Sequence, residues 1–156
     1  MSLSTNLIRE KDIRNFLNAK PGIEDVEGVY KVATGTITNA QMQALSLAVT
    51  HELVPAPGAG KFVEFMGGAF KVGAVAFTAD ADSDMQIRYT NQAGGVASRT
   101  LEATTLMATS NGVGIFGKAV TCIATVNAPL VLLNIGAAYE GTGSNCTYNI
   151  IYRIVG

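Results

Sequence analysis

The sequence predicts an all-β chain, a jelly-roll-like antiparallel β-sandwich with an N-terminal helical arm. Three observations predict it. Seventeen glycines cut the 156 residues into short apolar runs, the pattern of many strands joined by turns. Several of those runs alternate apolar with polar residues, the period of a half-buried strand. Helical periodicity is confined to residues 5–19, TNLIREKDIRNFLNA. The chain therefore divides into an arm and connector over 1–34 and a β-sandwich domain over 35–156.

In the arm, Ile13, Phe16 and Leu17 fall at i, i+3 and i+4, with Arg9, Glu10, Lys11, Asp12 and Arg14 on the other side. Thr5 or Asn6 can cap the start, and Lys20-Pro21-Gly22 stops the helix. So short a helix is marginal alone in water, so its apolar stripe must rest on its own sandwich or on a partner. The connector, PGIEDVEGVYKVAT, carries Val26, Val29, Tyr30 and Val32 as strand-like residues.

The domain is organised around Thr50–Phe65, THELVPAPGAGKFVEF. Pro57, Gly58 and Gly60 make PAPGAG a reversal. With alternating residues on both sides, the stretch reads as a β-hairpin with a long loop. The Gly60-Lys61 pair is no phosphate loop, because Pro55 and Phe62 stand where G-x-x-x-x-G-K-[ST] needs Gly and Ser or Thr. Ahead of it, Asn39 is expected to cap a short helical turn, AQMQALS. Behind it, Gly67-Gly68 inside a strand predicts a bulge or tight bend.

Met85, Ile87 and Tyr89 alternate with Gln86, Arg88 and Thr90, a strand with one polar face. Gln92–Val96 is a Gly-Gly turn, Ser98–Met107 is ambiguous, and Asn111–Gly114 turns again. The run AVTCIATV, ending at Val126, is β-branched and apolar, and predicts a strand buried on both faces. Leu130–Ile135 follows as a strand, Gly141–Asn145 as a turn, and Thr147–Val155 as the closing strand with Tyr148, Ile150, Tyr152 and Ile154 on one face. These sum to about eight short strands.

Chemistry is hard to place on this chain. His51 is the sole histidine, so neither a His-based triad nor a His-rich metal site can be built. In phase with Val49 and Leu53, it reads as a partly buried structural residue. Cys122 and Cys146 read as buried free thiols, inert in apolar surroundings. Asp80, Asp82 and Asp84 form D-x-D-x-D, but Met85 and Asn91 occupy the places where a calcium loop needs Gly and Glu. A solvated connection is expected there, and cation binding by the three carboxylates stays open. No catalytic, cofactor-binding or metal residue is assigned, and no enzyme activity is expected.

The composition points the same way. The chain is 48% hydrophobic and 15% charged with net charge −1, so no basic patch marks a nucleic-acid partner. No run is long enough to span a membrane. MSLSTNLIREKD becomes charged before a signal peptide's apolar core can form. So sparse a surface charge predicts that part of the surface is covered in an assembly.

The segments LVPAPGAGKFVEF, MQIRYTN and NAPLVLLNIGAAYEGTGSNCTYNIIYRIVG together resemble small β-sandwich proteins of tailed bacteriophages, among capsid decoration (cement) and other virion-surface proteins. The resemblance covers residues 35–156, with KDIRNFLNAKPG compatible as an appended arm. It implies a non-enzymatic protein made in the bacterial host cytoplasm, sitting on the capsid surface as a homotrimer and bound to the major capsid protein. Ile13, Phe16 and Leu17, with Val29 and Tyr30 behind them, are the expected docking residues. Two other readings stay open: a trimeric tail or fibre head whose loops Gln92–Val96 and Gly141–Asn145 contact the host, and a carbohydrate-binding module. The second is short of stacking aromatics, since the chain has no Trp.

Overall fold

The computed structural model describes residues 28–78 and 83–156. Seven strands are found among them: β1 (Lys31–Ile37), β2 (His51–Val54), β3 (Phe62–Lys71), β4 (Met85–Tyr89), β5 (Val113–Phe116), β6 (Leu130–Asn134) and β7 (Cys146–Val155). They form two antiparallel sheets, one ordered β1-β7-β3-β5 and one ordered β2-β6-β4. Two short helices, α1 (Asn39–Ala44) and α2 (Ala103–Met107), sit in the connections. The all-β expectation holds at this level. The arm helix at residues 5–19 lies outside the described residues, as do Asp80 and Asp82.

One core lies between the sheets. Val63, Phe65, Phe70, Phe116 and Ile150 from the larger sheet meet Leu53, Met85, Ile87, Tyr89, Leu130 and Leu132 from the smaller one. Removing one of the buried Phe rings would cost about 3–5 kcal/mol, because the lost transfer energy adds to the cavity left behind. β7 supplies the inward row expected of it, Tyr148, Ile150 and Tyr152, all in contact with the core or part of it. β6 is buried along its whole length, as befits the central strand of its sheet.

The bulge expected at the glycine pair is present. The β3–β7 register shifts between Phe65 and Gly67, and Gly67 takes φ of +155°, which a residue with a Cβ adopts rarely. Ala69 and Phe70 then resume the same strand opposite Asn149 and Tyr148.

Three expectations are corrected. The stretch around PAPGAG is not a hairpin, because β2 pairs with β6 while β3 pairs with β5 and β7. Its reversal carries the chain from one sheet to the other. It is pinned by Asn127, whose Oδ1 accepts from Gly58 N at 3.0 Å and whose N donates to the Lys61 carbonyl at 2.7 Å. Local alternation registers that each strand is half-buried, but not which neighbour completes its ladder.

The second correction concerns AVTCIATV, which forms no named strand. Val120, Ile123 and Val126 stand 88%, 71% and 58% exposed, while Cys122 and Ala124 pack on the core. Short bridges hold its start, where Ala119 N donates to the Ala97 carbonyl at 3.0 Å. The third is the cap of α1. Thr38, not Asn39, closes it: Gln41 N donates to Thr38 Oγ1 at 3.3 Å and Thr38 N donates to Gln41 Oε1 at 2.9 Å. That reciprocal capping box frees Asn39 to donate from Nδ2 to the Gly143 carbonyl at 2.7 Å. The ambiguous stretch 98–107 resolves into an edge segment followed by α2, with Leu101 N and Met85 O paired at 2.8 Å.

Candidate interaction surface

A groove of mixed polar and apolar lining opens at the end of the sandwich where β1 begins and β7 ends. The chain enters there at Gly28, whose N donates to the Ile154 carbonyl at 3.0 Å. The antiparallel pairing then sets Lys31 opposite Tyr152. The far wall is the crossover loop after β2, Pro55-Ala56-Pro57, held in place through Asn127. Between these walls lie about 530 Å³ of space, lined chiefly by Val29, Tyr30, Val54, Pro57, Tyr152 and Ile154. Lys31 is the one charged side chain in the lining. The prolines cannot donate from their backbone, but their carbonyls still accept, so this wall offers both apolar contact and hydrogen-bond acceptors.

Two of the five docking residues expected from the sequence, Val29 and Tyr30, are therefore brought together here. They stand 42% and 61% exposed. Ile13, Phe16 and Leu17 lie outside the described residues. Val54, Pro57, Tyr152 and Ile154 were not marked as surface residues by the sequence. The one signal in the sequence is the proline-rich loop itself, which is not a hairpin turn but a crossover that faces the end of β7.

A second apolar surface covers the outer face of the larger sheet. Val113 and Ile115 on β5 and Ile151 on β7 point outward, over a floor made by Gly67, Gly68 and Ala69. Beside it, Glu64 is held by Lys118 at 2.6 Å and by Arg153. Hydrogen bonds from Lys118 and then Arg153 keep the Glu64 carboxyl below the usual range.

His51 is half-buried and meets the Tyr148 ring edge-on, with centroids 6.1 Å apart. Burial lowers its pKa, opposed by the neighbouring Glu52 carboxylate. Cys146 is buried, and burial pushes its thiol up to about 11. Cys122 is half-buried, with Sγ 3.7 Å from the Tyr89 hydroxyl. Among the described residues, no three His, Cys, Asp or Glu side chains group to hold a metal ion. Asp84 instead accepts from Ala103 N at 3.3 Å, next to the start of α2. No helix among the described residues is long and apolar enough to cross a membrane.

The chain matches no protein-family model and no curated protein. Among solved structures it is similar to a chain of the cyanophage Pam1 capsid asymmetric unit. The TM-score is 0.51 at 12% identity, over 86% of this chain and 90% of that one. At that identity the likeness is one of fold: the two chains share the arrangement of strands over nearly the whole of each.

Proposed function

We propose that this chain is a structural protein of a bacteriophage virion, a decoration or cement protein without enzymatic activity that binds the outer capsid shell as a homotrimer and stabilises it. The observation that carries the reading is the fold it shares with a chain of the Pam1 capsid asymmetric unit. The sparse charge and the exposed apolar surfaces agree with a protein that works inside an assembly. In this reading the sandwich is of jelly-roll type and the N-terminal segment is a helical arm. The partner is the major capsid protein. Ile13, Phe16 and Leu17 supply the docking stripe, and Val29 and Tyr30 continue it onto the sandwich.

The mechanism is mechanical. Each copy bridges neighbouring shell subunits, and many weak contacts at symmetry-related positions add through avidity. The test is attachment to purified shells of the phage that encodes the chain. Replacing Phe16 and Leu17 with Ser is expected to abolish co-sedimentation while circular dichroism of the sandwich stays unchanged. Unchanged attachment would overturn the assignment of the stripe.

A fibre head would use the Gln92–Val96 and Gly141–Asn145 loops as one outward surface. The two loops instead lie at opposite ends of the sandwich. Gly141–Asn145 leads into the start of β7, whereas Gln92–Val96 follows Tyr89, opposite the start of β6 and beside the groove end. A β-strand rises about 3.3 Å per residue, so the length of β7 keeps them roughly 30 Å apart. For a sugar-binding module the described surface offers one strongly exposed aromatic ring, Tyr30, where stacking platforms need several.

A further inference from the structure

We propose that the outer face of the larger sheet is a two-fold interface between copies of this chain, with Ile151 of each copy seated over Gly67 of the other. The inference goes beyond the shell reading and does not rest on it. Such a contact uses the same patch on both copies and closes at two, so it is separate from any three-fold arrangement.

The face is built row by row from the strand register. Directly opposed residues of antiparallel neighbours point to the same side of a sheet. Ile150, Phe70 and Phe116 belong to the core, so Ile151, Ala69 and Ile115, one step along each strand, face outward. One row runs Val32, Ile151, Gly67 across β1, β7 and β3. The next runs Thr34, Asn149, Ala69, Ile115 across all four strands. Val32, Ile115 and Ile151 are 59%, 67% and 42% exposed. Gly67 and Ala69 leave a shallow apolar hollow of about 540 Å³ between Ile115 and Ile151.

This pattern is self-complementary. The sheet order is β1-β7-β3-β5, so a two-fold axis running along the strands between β7 and β3 lays β7 of one copy over β3 of the other. Ile151 then meets Gly67 of the second copy, a ridge over a hollow, and the reverse contact is identical. The pair sits near the middle of the β3–β7 ladder, where the angle of roughly 30° between packed sheets displaces residues least. Charge agrees with the same axis. Glu64 on β3 and Arg153 on β7 are opposed within one copy, so the axis turns each toward its opposite charge on the other copy. At the far end Lys71 is set over Thr147 rather than over another lysine.

The area fixes the strength. Strands rising about 3.3 Å per residue and spaced about 4.8 Å apart give this face roughly 500 Å² per copy. A pair then buries roughly 1,000 Å², the lower limit for a specific interface. The dimer is therefore weak and reversible.

The test is sedimentation equilibrium of the full chain at concentrations up to about 1 mM, where a contact of this size becomes populated. The expected result is a mass that doubles as concentration rises, whether the unit that doubles is one chain or a ring of them. Ile151→Asp and Ala69→Arg should each weaken the doubling at least about tenfold with circular dichroism unchanged. Ile123→Asp, at an exposed apolar side chain outside the sheet, should leave it intact. No doubling, or doubling that survives both sheet-face variants, would overturn the proposal. A second measurement needs no substitution. The methyl signals of Ile115 and Ile151 should shift with concentration while those of Ile123 stay fixed, and a fixed Ile151 signal would also overturn it. Neither measurement uses shells, so the two-fold pair can fail while shell attachment holds, and the reverse.

Discussion

The Tyr89 hydroxyl donates to the Val63 carbonyl at 2.6 Å, across the core from β4 in one sheet to β3 in the other. Both residues are buried. Burial holds the phenol well above the ordinary tyrosine range, so it stays a donor at any physiological pH. Tyr89→Phe keeps the ring and removes the donor. It is expected to cost about 1–3 kcal/mol, because the Val63 carbonyl loses a partner that water cannot replace. A thermal midpoint lowered by several degrees, read by calorimetry, is the expected outcome. An unchanged midpoint would show that the bond does not tie the sheets.

Stability should fall with acid in a window set first by His51. Its folded pKa lies below 6.5, so the unfolded chain takes up the proton first as the pH drops. The stabilising contribution is complete above about 6.5 and is lost as the pH falls through the folded value. Denaturant titrations between pH 7.5 and 5 should show this slope in the natural chain and a flatter one in His51→Phe, which keeps an aromatic partner for Tyr148. Equal slopes would place the acid sensitivity elsewhere. Glu64, also held below its usual value, adds a loss of the same sign at pH below about 4.5.

The two thiols should differ in reactivity. Cys146 is fully buried with its pKa near 11, so at pH 8 only about one thiol in a thousand is ionised. A thiol reagent should modify Cys122 within minutes and leave Cys146 unmodified until denaturant is added. Labelling of both at the same rate would contradict the packing around Cys146.

Gly94 admits no side chain. A Cβ placed there would lie 1.6 Å from the Tyr89 carbonyl oxygen, inside the turn closed by Gly94 N donating to Asn91 O at 3.0 Å. Gly94→Ala must open that turn, and a loss of at least about 2 kcal/mol is expected from the displaced backbone. A variant as stable as the natural chain would mean that the turn is made differently.

Ile123 and Leu132 make a contrasting pair. Ile123→Ser, at a side chain 71% exposed, should change stability by no more than about 0.5 kcal/mol. Leu132→Ala, in the fully buried middle of β6, should cost about 2–5 kcal/mol. Chemical denaturation of both settles the matter: a large loss at Ile123 would restore the buried strand that the sequence pattern suggests there.

Much of the architecture is legible without coordinates, and the reason is local. Alternation along Met85–Tyr89 and Thr147–Val155, the glycine pair at the β3 bulge, and the turns at Gln92–Val96 and Gly141–Asn145 each depend on a few neighbouring residues whose backbone preferences and side-chain period suffice. Val29 and Tyr30, apolar residues on a short, weakly patterned connector, line the candidate surface, and nothing in their local pattern shows which segments face them. The other lining residues were not legible. Val54 and Pro57 become part of a groove only because the loop after β2 crosses between sheets, and Tyr152 and Ile154 only because β7 ends beneath it.

By itself, then, the sequence determined that this is a turn-rich, mostly β chain with few charges and a core of alternating strands. Those properties follow from composition and period, which every short segment carries internally. Only the tertiary structure decided which strand lies beside which. It sent β2 and β3 to different sheets, left Val120, Ile123 and Val126 in solvent and set Val29 and Tyr30 against the Pro55–Pro57 loop and the end of β7. Pairing between segments far apart in sequence is chosen by the burial of the whole core, and a β-branched run such as AVTCIATV reads the same whether or not a neighbouring strand reaches it.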